Sequence, residues 1–436
     1  MRTNSVHVIY SVRSWISWSF PFWLSYLEKA SPLVFDCGFA KIKLMASRSL
    51  LHWAARRRWY ALLVPSLPKW SGHESSESSS LTAVALLALS SSAFAQRGLE
   101  RALEAQRVHN PNFFQVDGVV ATGVSVDQAG NAVIKVYTEN AGTKVPAFAN
   151  GVAVQKFVAG PITAWDRPVD QMKKPGRGGG GGGGDSGGTN PQTRLARPVA
   201  IGASIGTYRP NASNACFAGT LGCRLKGSNG QRYILSNNHV MAEENAGSVG
   251  NDLIIQPGTL DNGCVLDLND VIGSLSGFVP IKFNGQANFI DAAVAATTTD
   301  DTGFASPTEA YGAPSSNSQS AYVGMPVQKF GRTTSLTLGE VDSINVTVNV
   351  GYTAGTALFE NQIIIVGKRR RGRKIVDATF SEGGDSGSLI VTQGNNDPVG
   401  LLFAGNSSVT IANPIDEVLT TLSVLNGTVL TVDDGN

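Results

Sequence analysis

From residue 199 onward the sequence returns again and again to one unit, a short apolar run closed by a glycine-rich turn. The runs are 218–226, 233–236, 253–256, 289–297, 323–330, 362–366, 387–391 and 399–404. Their length, their β-branched content and their short, regular spacing read as strands, and the near absence of helical periodicity between them points to one or two β-barrels. Composition agrees with this. Glycine is abundant, at 49 residues, and charged residues make up only 16% of the chain, a balance that fits turn-rich β structure.

The 436 residues are two to three times an ordinary domain, so further units precede the strand-rich region. Residues 1–80, with an aromatic run from Trp15 to Leu27 and a basic Arg56-Arg57-Arg58, show neither helical nor strand periodicity and read as the product of an upstream start site. Residues 81–95 carry an apolar stretch of signal-peptide length that ends on Ala93-Phe94-Ala95, a small-x-small cleavage site before Gln96, although no basic segment stands before it. The stretch is too short to span a bilayer. The expectation is a secreted or periplasmic protein with no stable membrane anchor once the signal is removed.

Residues 96–165 read as a small α+β unit. A helix over 96–110 places Leu99, Ala102 and Leu103 on one face, and alternating runs at 119–126 and 132–137 flank the turn Asp127-Gln128-Ala129-Gly130-Asn131. A unit in that position is either a propeptide or a permanent accessory domain. Residues 166–198 shift to Pro, Lys and Gly, with seven consecutive glycines from Gly178 to Gly184, and form a flexible linker ahead of a domain over 199–432.

The chemistry concentrates in Gly383-Gly384-Asp385-Ser386-Gly387-Ser388, which opens the apolar run Leu389-Ile390-Val391. A serine in a tight glycine turn ahead of a buried strand is presented as a nucleophile, with the N–H groups of Gly384 and Ser386 available to an oxyanion. Its hydroxyl needs a base. Of five histidines only His239 lies beyond the linker, in Leu235-Ser236-Asn237-Asn238-His239-Val240. The base needs a buried carboxylate to orient it, and Asp291, in the apolar Phe289-Ile290-Asp291-Ala292-Ala293-Val294, fits best. Asp252, Asp261, Asp267, Asp270, Asp300 and Asp301 stand in polar, turn-like contexts and read as surface residues.

The order His, Asp, Ser, their separations and Gly-Asp-Ser-Gly-Ser resemble the trypsin/chymotrypsin family of serine proteases. The contexts of His239 and Asp291 are closest to the bacterial and plant narrow-leaf-type trypsin-like proteins. The resemblance covers 199 to about 430, and more loosely 115–165. It implies an all-β catalytic domain of two antiparallel six-stranded barrels with the triad between them, a polypeptide substrate, an acyl-enzyme intermediate, and neither metal nor organic cofactor. By the same resemblance, the arginine of Gly331-Arg332-Thr333-Thr334 pairs with Asp385 and supports the oxyanion turn. Phe380 forms the base of the primary pocket and Phe403, Ala404 and Gly405 one wall, with substrate adding as a strand along 400–405. No carboxylate falls at that base if Glu382 is solvated, so small or medium apolar residues are expected before the scissile bond.

Other features exclude alternatives. Gly184-Asp185-Ser186-Gly187-Gly188 matches the motif of animal trypsins letter for letter, yet it follows the glycine tract and has no strand to hold it. The basic run Lys368 to Lys374 reads as a solvated hairpin tip, and with a net charge of +2 and no interleaved aromatics nucleic acid is not an expected partner. Cys216, Cys223 and Cys264 allow any one of three disulfides, with one thiol left over.

Overall fold

The computed structural model describes residues 33–37, 40–44, 98–164, 188–210, 216–372 and 374–436. The expected signal segment 81–95, the Arg56–Arg58 cluster and the glycine tract with Ser186 lie outside the described residues. The chain divides into two compact units, Met1–Thr82 and Ala83–Asn436. In the first, Leu33–Cys37 and Ala40–Leu44 form an antiparallel hairpin.

In the second unit, one sheet runs in the order Leu430–Val432, Cys223–Gly227, Arg232–Ser236, Ala293–Thr297, Val271–Phe278, Leu253–Ile255, Ser204–Tyr208 and Gly219–Thr220. Its second and last members belong to one run of chain interrupted only at Leu221 and Gly222, so the sheet closes on itself as a six-stranded antiparallel barrel with Leu430–Val432 added outside. Gly222 leaves no room for a side chain: a Cβ there would lie 2.3 Å from the Gly387 carbonyl oxygen. Leu225, Ile234, Leu235, Val294 and Leu275 are all buried in the core around this sheet.

A second barrel closes outright. Pro326–Gly331 pairs with Ser335–Gly351, then in turn come Thr356–Arg371, Thr410–Pro414, Pro398–Gly405 and Leu389–Thr392, which pairs back to Pro326–Gly331. Two antiparallel six-stranded barrels are therefore present, as expected. Two features were not expected. Residues 415–426 are helical (Ile415–Asn426), with Ile415, Val418 and Leu422 laid on the core of the first barrel and Gly427 ending the helix at φ 62°. The segment 289–292 is not strand, because the Asp291 N–H and C=O are held by the side chains of Asn413 and Asn237 instead of a ladder.

The N-terminal unit has a helix over 98–113 packed on Val119–Val126, Ala132–Thr138 and Val152–Val158, the last two paired in parallel. It is joined to the second barrel. Val119–Val126 pairs with Ser335–Gly351 at Ile344↔Val124, Thr347↔Thr122 and Val348↔Ala121. Buried Val120, Ala121, Tyr137, Ile162 and Ala164 share one core with Val346, Val348, Phe359 and Phe403. Polar contacts add to this, with Lys135 Nζ 2.7 Å from Asp342 and Gln106 bonded to Thr122 and to the Asn345 carbonyl.

Of the three disulfides the sequence allowed, Cys216–Cys264 forms, spanning 48 residues. Cys223 is buried in the first barrel, and that burial, with Asp433 nearby, pushes its thiol well above the ordinary range. Closing a loop of that size stabilises by about 4 kcal/mol. The Cys216→Ser, Cys264→Ser double variant is expected to unfold at lower denaturant by that margin. Peptide mapping after alkylation of the native protein should find Cys223 unmodified until the domain unfolds.

Candidate active site

The strand Arg232–Ser236 delivers the chain into a single helical turn, Asn238–Met241, which carries His239 into the interior. Thr207 Oγ1 caps the turn at the Met241 carbonyl, 2.9 Å away. The two asparagines before the histidine both brace the site. Asn237 Nδ2 donates to the Asp291 carbonyl at 2.8 Å, and Asn238 Nδ2 donates to the Val279 carbonyl at 2.7 Å.

Across the first barrel, His239 Nδ1 lies 2.5 Å from Asp291 Oδ2, and the His239 N–H donates to Asp291 Oδ1 at 3.2 Å. Both side chains are fully buried. A carboxylate in such surroundings requires donors on its oxygens, and a third comes from the Tyr352 hydroxyl, 2.9 Å from Oδ2. The second barrel also holds the Asp291 backbone, since Asn413 Oδ1 accepts its N–H at 3.1 Å and Gln362 in turn bonds Asn413 and the Phe289 carbonyl.

Ser386 sits between Gly384 (φ 95°) and Gly387 (φ 93°), both in the left-handed region. At Gly387 close approach adds to this, since a Cβ would fall 2.4 Å from the Thr220 carbonyl oxygen. The turn is pinned to the first barrel through Thr220, whose N–H donates to the Ser386 carbonyl and whose hydroxyl donates to the Gly384 carbonyl, each at 2.8 Å. The Ser386 turn and the histidine helix converge on Gly219: the point where its Cβ would stand is 2.6 Å from Val240 Cγ2 and 3.2 Å from the Ser386 carbonyl oxygen. Ser386 Oγ is buried and bonds to no described residue, and the Gly384 and Ser386 N–H groups likewise donate to none. The serine turn and the helical turn that carries His239 thus both pack against Gly219 of the first barrel.

The expected Arg332–Asp385 pair does not form. Arg332 engages Asp261 with both Nε (2.6 Å) and Nη2 (2.5 Å). Asp261 stands in the short helical turn Thr259–Asn262, which the Cys216–Cys264 bridge holds close to Phe217. Asp385 is met instead by Lys329 at 3.2 Å, both side chains fully buried. Its carboxylate also accepts the N–H groups of Thr333, Thr334 and Glu382 and the Thr334 hydroxyl. Burial pulls the Lys329 ammonium below its ordinary value, against the opposing attraction of Asp385. Asp261 is thus not a surface residue, nor are Asp252 and Asp270, which are buried against Arg209 and Arg194.

The specificity residues also stand elsewhere than expected. Phe380 is buried in the core of the second barrel beside Val341 and Ile365, not at a pocket base. Phe403 and Ala404 are fully buried, with Phe403 packed 4.8 Å from Phe359 under the N-terminal unit, so neither forms a pocket wall. Gly405 exchanges backbone hydrogen bonds with Thr163, at 3.3 and 3.0 Å. Glu382 is exposed, as are Arg369, Arg370 and Arg371 near the end of a long hairpin. The residues that the sequence did not single out are Tyr352, Asn413, Lys329 and Asp261. For Lys329 one signal existed, a lone lysine in an apolar strand three residues before Arg332.

No protein-family model matches the chain, and no curated protein matches it. Among solved structures it is similar to Thermobifida fusca protease A, with 19% identity, coverage of 53% of this chain and 98% of that one, and a TM-score of 0.35. A chymotrypsin of Cellulomonas bogoriensis gives 17% identity, 54% and 98% coverage and a TM-score of 0.34. The MamO protease domain of Magnetospirillum magneticum gives 12%, 51% and 96%, and 0.29.

Removing one partner of a buried ion pair leaves the other charge uncompensated, a loss of about 3–5 kcal/mol. Lys329→Met is expected to destabilise the domain by that amount in urea unfolding. Arg332→Ala should instead loosen the Asp261 turn and leave the Asp385 contacts intact, so an amide-exchange experiment should show new mobility at 259–264 and none at Thr333 or Thr334.

Proposed function

We propose that the protein is a serine endopeptidase in which Ser386 attacks the substrate carbonyl, His239 moves the proton and Asp291 orients the imidazole. The observation that carries this reading is the fully buried His239–Asp291 pair at 2.5 Å, set at the same barrel junction as a serine held between two left-handed glycines. In the reaction, His239 takes the Ser386 proton as the acyl-enzyme bond forms and returns it to the leaving amine. The Gly384 and Ser386 N–H groups, which bond to no described residue, face the oxyanion. Asp385, anchored by Lys329 and four hydrogen bonds, keeps that turn rigid, while Arg332 supports it from the Asp261 side. Neither metal nor organic cofactor enters the scheme.

Export accords with the Cys216–Cys264 disulfide, a bond that persists in oxidising compartments. A preference for small or medium apolar residues before the scissile bond keeps one support, the exposure of Glu382, and loses the other with Phe380 in the barrel core. An inactive scaffold on the same fold is the weaker reading, because it leaves a buried acid–base pair without a role. An esterase using the same residues differs only in substrate.

A fluorophosphonate probe is expected to label Ser386 alone. Ser386→Ala and His239→Ala should each lower turnover of casein by about six orders of magnitude, since the two residues act as a unit. Ser186→Ala should change nothing. Labelling of Ser386 without casein cleavage would favour the esterase, and absence of labelling would refute both hydrolases.

A further inference from the structure

We propose that Tyr352 is a positioning residue for the His239–Asp291 pair, and that the N-terminal unit holds it in place. The proposal rests on the peptidase reading above for its kinetic consequences but not for its geometry. Tyr352 follows directly on the strand Ser335–Gly351, in the turn that leads into Thr356–Arg371. Its hydroxyl donates to Asp291 Oδ2, the oxygen that also faces His239 Nδ1. Hydrogen bonds to a charged acceptor are roughly twice as strong as neutral ones. Together with the His239 N–H on Oδ1, the hydroxyl leaves the carboxylate no freedom to rotate away from the imidazole.

The ring is fixed as firmly as its hydroxyl. It meets the His239 imidazole edge-on at 6.0 Å and 69°, meets Phe283 at 5.6 Å and 78°, and stacks on Phe359 at 6.1 Å and 28°. Edge-on and offset contacts of this kind are the favoured aromatic geometries. The backbone is bound from two sides. The Thr353 and Ala354 N–H groups donate to the Glu244 carboxylate at 2.8 and 2.7 Å, and Glu244 lies three residues beyond the helical turn that carries His239. On the other side the Gly351 N–H donates to the Ile162 carbonyl and the Ala164 N–H to the Gly351 carbonyl, both at 3.0 Å.

Those last two bonds come from the N-terminal unit, which also lies along Ser335–Gly351 through its strand Val119–Val126. Phe359, the stacking partner of Tyr352, belongs to the core that this unit shares with the second barrel. The hydroxyl therefore reaches Asp291 from a tip whose register is set by residues 98–164. On this view the unit is a lasting part of the catalytic arrangement.

The test uses the full chain and the Tyr352→Phe and Ala164→Pro variants. Phenylalanine keeps the ring among its aromatic neighbours and removes only the hydroxyl; proline removes the N–H that reaches Gly351. For Tyr352→Phe, kcat on a peptide substrate and the rate of Ser386 labelling are expected to fall roughly tenfold with KM unchanged, and the thermal midpoint to fall as a buried carboxylate loses one donor. The proton resonance between His239 Nδ1 and Asp291 should move, a readout that needs no turnover. Ala164→Pro should move the same resonance and lower kcat at constant KM. An unchanged resonance and kcat in Tyr352→Phe would overturn the proposal, and a lowered thermal midpoint with unchanged kcat in Ala164→Pro would overturn the brace. If wild-type Ser386 fails to react while the resonance still moves in Tyr352→Phe, the peptidase reading falls and the positioning geometry stands.

Discussion

The negative charge on Asp291 is the constraint around which the two barrels are joined. A carboxylate buried completely in an apolar surround is tolerated only where donors reach its oxygens, and no single element of the chain supplies enough of them. His239 comes from the first barrel, and Tyr352 from the long hairpin of the second. Asn413 and Asn237, one from each barrel, hold the Asp291 backbone in a non-strand conformation that aims the side chain. Satisfying one charge thus brings the barrels into a single relative position. The serine turn, pinned to Thr220 of the first barrel, belongs to the same junction.

A second buried charge solves a similar problem at shorter range. Asp385 receives Lys329, Thr333, Thr334 and Glu382, all within one barrel. Arg332 is left to reach 71 residues back to Asp261, in a turn closed by the chain's described disulfide. The two ion pairs divide the labour. Lys329–Asp385 fixes the shape of the Ser386 turn, and Arg332–Asp261 ties the neighbouring 331–334 turn to the first barrel.

How much of this was legible depended on how local each signal was. The barrels could be read because short apolar runs and glycine turns are local patterns, and the His239–Asp291 pair because His239 is the only histidine beyond residue 199 and Asp291 stands in an apolar run. The strand Ser335–Gly351 escaped notice because its register shifts at Val341/Ser343, Ser343/Val346 and Val346/Val348 break the alternation that marks a strand. Tyr352 was unreadable for the same reason: three irregularities decide which way the tip faces. Asp261 looked like a surface residue because the arginine that buries it is distant in sequence. Phe380 was placed by resemblance, and the barrel core took it, since nothing local distinguishes a phenylalanine that lines a pocket from one that fills a core.

On the peptidase reading, the bonds between Thr163 and Gly405 bear on how a polypeptide would be held. Strand addition along residues 400–405 would use the Gly405 N–H and C=O, and both are already bonded to the protein's own chain. An incoming peptide therefore competes with a tethered rival, whose effective concentration is on the order of millimolar. Asn406 reinforces the rival by donating to the Ala159 and Pro161 carbonyls. Main-chain pairing at Gly405 contributes to affinity only for substrates that displace this segment, so discrimination among peptides shifts toward the residues nearest the scissile bond.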